Sequence, residues 1–79
     1  MKEYIATFYT HAGAIVGKRD LTALGIRTEM MPVPRALSSS CGTCVRYEAD
    51  SPHAERFVKD LEAVYEAEKG GFRKIVEGD

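Results

Sequence analysis

The sequence predicts an α+β fold of the ferredoxin-like type: a βαββαβ order, with a four-stranded antiparallel sheet carrying two helices on one face. Three observations lead there. Four short segments, "YIATFY" first among them, read as strands. Two longer segments, one after the first strand and one after the third, carry helical spacing. Right-handed crossovers then favour this arrangement of split βαβ units. At 79 residues the chain is sized for one domain, 1–79.

The first strand is expected at 4–9, where aromatic and β-branched residues alternate with others. Thr10 offers an N-cap oxygen for a helix over 11–24. The inward stripe of that helix, Gly13, Val16, Gly17, Asp20, Leu21 and Leu24, contains two glycines, each costing up to about 1 kcal/mol against alanine. Close approach of the helix to a sheet would compensate, and Gly25 ends it. A second strand follows at 26–31 and is stopped by Pro32 and Pro34. The third, at 44–49, places Val45 and Tyr47 on one face and Cys44, Arg46 and Glu48 on the other.

The second helix has the clearest periodicity. Asp50 or Ser51 can cap it, Pro52 suits its first turn, and Ala54, Phe57, Val58, Leu61, Val64, Tyr65 and Glu68 fall on one side. Gly70 and Gly71 terminate it before a last strand at 72–77. In this arrangement strands two and three form a hairpin, and its connection, 32–43, is long for such a loop. Long loops carry function disproportionately.

Composition excludes several classes. With 11 basic and 12 acidic residues the net charge is −1, which gives no reason to expect nucleic acid or an anionic membrane. No apolar run approaches the roughly 18–20 residues of a membrane span. The opening residues lack the pattern of a secretory signal, and two cysteines are too few for a disulfide scaffold, so a cytoplasmic location is expected. An open sheet edge can pair with a second copy, although Arg73, Lys74 and Glu77 oppose this at the last strand.

"GAIVGKR" at 13–19 has the look of a phosphate loop, but it has three residues between its glycines where four are needed. Arg19 stands where a magnesium-binding hydroxyl belongs. The chemistry is expected in "SSSCGTC", residues 38–44, which holds both cysteines. A structural zinc site needs four ligands, and His11 and His53 open different predicted helices, so no metal is called for. A thioredoxin-like pair precedes a helix whose dipole lowers the thiol pKa, whereas Cys44 leads into a strand. A Cys41–Cys44 disulfide remains geometrically open because Gly42 allows a tight turn. One nucleophilic thiolate at Cys41 fits the context better. Small neighbours leave room for another protein's thiol, and Ser38, Ser39, Ser40 and the Gly42 N–H supply donors. Arg35 or Arg46 could stabilise the thiolate, and Cys44 is either a resolving thiol or a small strand residue facing the core.

The run "PVPRALSSSCGTCVRYE", preceded by "YIATFYTHAGAI", resembles the DUF3343 family, the selenium/sulfur carrier-like proteins. The specific part is P-x-P-R-x-L-S-S-S-C-G, residues 32–42. The resemblance implies a domain of selenium or sulfur metabolism in which Cys41 holds the chalcogen as a persulfide or selenopersulfide. The partners would be protein donors and acceptors such as a cysteine desulfurase, with no cofactor. The resemblance points to a carrier more than to a stand-alone enzyme. Two other readings stay open: a small dithiol/disulfide redox module using Cys41 and Cys44, and a non-enzymatic ligand- or protein-binding regulator.

Overall fold

Five antiparallel strands and one helix make up the architecture of the computed structural model, which describes residues 1–37 and 39–78. The strands are β1 (Lys2–Phe8), β2 (Thr28–Pro32), β3 (Thr43–Ala49), β4 (Leu61–Glu68) and β5 (Gly71–Glu77), in the spatial order β2-β3-β1-β4-β5. The helix α1 (His11–Ala23) links β1 to β2, and β3 lies between these two strands in the sheet. Among the described residues, no helix is long and apolar enough to cross a membrane.

Local chemistry explains α1. The Thr10 side chain accepts the Gly13 N–H at 3.0 Å and donates to Asp60 Oδ2 at 2.7 Å, so it caps the helix and ties it to the segment before β4. Gly25 takes a left-handed φ of 81° just past the other end, a conformation that favours glycine. Between the ends, Gly17 lies so close to β1 that an added Cβ would stand 2.6 Å from Cζ of Phe8. The glycines that weaken α1 in isolation thus let it press onto the sheet.

The core lies between α1 and the sheet. Tyr4, Ala6 and Phe8 of β1, Val45, Tyr47 and Ala49 of β3, and Val64 of β4 meet Ala14 and Leu21 of α1 there. Tyr4 and Tyr47 stack with centroids 5.3 Å apart, and the Tyr47 hydroxyl donates to the Pro52 carbonyl. The opposite face carries Ile5, Thr7, Cys44 and Ala63, all buried.

The expected second helix does not form, and with it the four-stranded, two-helix ferredoxin-like arrangement is corrected. Within the segment that carried helical spacing, only Ala54–Arg56 turn, as a single 3-10 turn, while Leu61–Glu68 become β4. The sequence "LEAVYEAE" is rich in helix formers, but propensity differences among such residues amount to a few tenths of a kcal/mol each. As a strand this segment pairs with β1 on one side and β5 on the other, which satisfies both backbone edges. Of Gly70 and Gly71, expected to end a helix, Gly70 lies with Lys69 in the turn from β4 into β5 and Gly71 opens β5. Phe57 enters the core, 5.5 Å from the Phe8 ring and 5.9 Å from Tyr47. It packs on the helix side, where the sequence predicted a second helix.

Candidate functional site

The β2–β3 connection, residues 33–42, starts from the ladder itself. Pro32 pairs with Thr43, and the Val33 N–H donates to the Gly42 carbonyl at 3.1 Å, closing the base of the loop. The Leu37 N–H donates to the Pro34 carbonyl, which makes a turn at Pro34–Leu37. Gly42 has φ 76°, the left-handed region that brings the chain back into β3.

The loop then reaches across to the neighbouring strands. Ser39 Oγ donates to the carbonyl of Phe8, the last residue of β1, at 3.4 Å. The Ser40 N–H donates to Glu62 Oε1 at 3.1 Å, and its hydroxyl lies 3.5 Å from Oε2. Glu62 sits where the β1–β4 register slips: Thr7 pairs with Ala63 and Phe8 with Leu61, so Glu62 is the extra residue of a bulge. A bulge re-aims a side chain, and here the carboxylate meets the loop. Nothing in the sequence marks Glu62, because its neighbours read as helix and its partner is 22 positions away.

The two thiols are both free and differ sharply in setting. Cys41 is partly exposed, and its Sγ lies 3.4 Å from the Thr43 carbonyl. Cys44 is fully buried in β3, between Thr7 of β1 and Met31 of β2, with Sγ 3.8 Å from the Pro32 carbonyl. Burial first, and the nearby Cys41 second, push the Cys44 thiol up to about 11. Cys44 is therefore a protonated thiol at neutral pH.

The other expected residues are distributed around this loop. Arg35 is exposed in the Pro34 turn. Arg46 is held by Glu3, at 2.8 Å, and Glu48, at 3.3 Å, on the face of β3 that also carries Cys44. Ser38 lies outside the described residues. Among the described residues, no three His, Cys, Asp or Glu side chains gather as a metal site.

Residues 3–68 match the family model described as "Putative Se/S carrier protein-like". The chain belongs to this Se/S carrier-like family. The match covers the strand, helix and loop that position Cys41, together with the β3 and β4 strands that receive the loop. No curated protein and no solved structure matches this Se/S carrier-like chain.

Proposed function

We propose that this chain carries sulfur or selenium on Cys41 as a persulfide or selenopersulfide and passes it to a partner protein. The observation that carries this reading is the inequality of the thiols: one partly exposed in a loop of small residues, the other shut inside the sheet. In loading, the Cys41 thiolate attacks the terminal sulfur of a donor persulfide, takes that sulfur, and the donor thiolate departs. Small residues flank Cys41 in the sequence, Ser38, Ser39 and Ser40 before it and Gly42 after it, and Arg35 is the cation of the same loop. A transfer of this kind needs an exposed sulfur and a docking surface rather than a deep pocket, which suits a small domain. Cytoplasmic thiol-transfer chemistry and a protein donor such as a cysteine desulfurase belong to the same proposal.

The test is intact mass spectrometry after incubation with a cysteine desulfurase and cysteine. Wild type gains the mass of one sulfur atom, Cys41→Ser does not, and Cys44→Ala still loads. An equal gain in Cys41→Ser, or none in wild type, overturns the carrier reading. The dithiol/disulfide module remains the second reading, and it predicts that Cys44→Ala abolishes function altogether.

A further inference from the structure

Among the described residues, the segment 39–41 is held to the rest of the fold by few hydrogen bonds. Ser39 reaches the Phe8 carbonyl, Ser40 reaches the Glu62 carboxylate, and Cys41 turns its own thiol to Thr43. Glu62 pairs with no cation among the described residues, so Ser40 supplies the hydrogen bonds it receives there. The Ser40–Glu62 contact is exposed, within reach of a competing group from outside. Cys44 follows only three positions after Cys41, yet each sulfur faces a different carbonyl, Thr43 for one and Pro32 for the other. For the two to bond, the Cys41 thiol must leave the Thr43 carbonyl and the Cys44 thiol the Pro32 carbonyl, and Gly42, at φ 76°, lies between them in the chain.

We infer that Ser39, Ser40 and Glu62 form a latch that keeps the buried Cys44 from bonding to a charged Cys41, and that opening the latch lets Cys44 discharge the cargo. The inference rests on the carrier reading for the identity of that cargo. In the discharge, the Cys44 thiol gives its proton to the terminal sulfur of the Cys41 perthiolate. The resulting Cys44 thiolate attacks Sγ of Cys41, the bond to the carried sulfur breaks, and that sulfur leaves as hydrosulfide. The two cysteine sulfurs are oxidised to one disulfide and the carried sulfur is reduced; a small thiol later returns the disulfide to the dithiol at the cost of its own oxidation. A closed latch therefore holds cargo, and a partner whose cationic side chain takes the Glu62 carboxylate opens it. Glu62 is a positioning residue in this scheme.

The test uses Ellman's reagent, whose thionitrobenzoate group on Cys41 stands in for the cargo. In wild type, labelling of Cys41 gives a first release of chromophore, and attack by Cys44 gives a slower second one with an internal disulfide. Glu62→Ala speeds the second release by about three- to tenfold, as loss of a charge-assisted but exposed bond implies, and Glu62→Gln, which keeps the acceptor, falls between. Cys44→Ala abolishes the second release. General loosening would instead put a thionitrobenzoate adduct on Cys44, which mass spectrometry separates from the disulfide. Ser39→Ala is the second latch variant, with the same expectation, should circular dichroism show Glu62→Ala unfolded. A second phase as slow as wild type in the folded latch variants, or one that persists in Cys44→Ala, overturns the inference. The experiment loads no sulfur, so the carrier reading stands or falls separately, by the mass gain on Cys41.

Discussion

Gly17 of α1 rests against the ring of Phe8 in β1, with room for a hydrogen and none for a methyl group. Phe8 is fully buried and is itself packed against Phe57. Gly17→Ala gains up to about 1 kcal/mol of helix propensity but overpacks the core at a typical cost of about 1–3 kcal/mol. The expected net result is destabilisation, read as a lower midpoint in urea or thermal unfolding. A midpoint equal to or above wild type would show that α1 can lift from the sheet.

Thr10 joins two elements through one hydroxyl. It accepts from the Gly13 N–H and donates to Asp60, whose carbonyl in turn accepts the Tyr9 N–H at 2.8 Å. Thr10→Ala removes the cap and the tie together, with an expected loss of about 1–2 kcal/mol and a drop in melting temperature of roughly 4–8 °C per kcal/mol. Thr10→Ser should recover most of it. Equal losses in both variants would place the effect in the threonine methyl group instead.

The Cys44 thiol makes stability depend on pH at the alkaline end. Its folded value is raised from 9.0 to about 11, so the native state holds this proton more tightly than the unfolded chain. The contribution is complete below about pH 9 and is lost as pH rises towards 11, because there the unfolded chain releases the proton first. The amount at stake is on the order of 3 kcal/mol, taking two pKa units at about 1.4 kcal/mol each. Urea midpoints measured from pH 8 to 11 should fall more steeply for wild type than for Cys44→Ala. Parallel slopes in the two proteins would refute the assignment.

Arg46 is bound on both sides, and hydrogen bonding to Glu3 is the first cause of its raised pKa. Because its guanidinium is occupied there, Arg46→Ala should leave the rate of Cys41 alkylation by iodoacetamide unchanged. A large fall in that rate would show that Arg46 leaves Glu3 to reach the thiolate.

Much of this architecture was legible from the residues alone. Thr10 as cap, Gly25 as terminator, Pro32 as the end of β2, and the alternation of Val45 and Tyr47 against Cys44, Arg46 and Glu48 all follow from local chemistry that acts within a few positions. The prominence of the Cys41 loop was legible for the same reason: an unusual run of prolines, serines and cysteines needs no partner to be noticed. Glu62 was not, since its carboxylate becomes part of the loop only through a bulge and a contact 22 residues distant.

The sequence by itself determined β1, α1, β2, β3 and the loop that holds the first thiol. Only the tertiary structure decided the state of Leu61–Glu68 and the complete burial of Cys44, which the sequence placed only at the start of a strand. A segment of leucine, glutamate, alanine, valine and tyrosine has small intrinsic preferences. Here the open edge of β1 on one side and the β5 hairpin on the other settle it as a strand. The same pairing seats Ala63 beside Thr7, next to Cys44, and brings Glu62 up to the loop. Long-range strand pairing, which no local pattern encodes, thus buries one thiol completely while the other stays partly exposed.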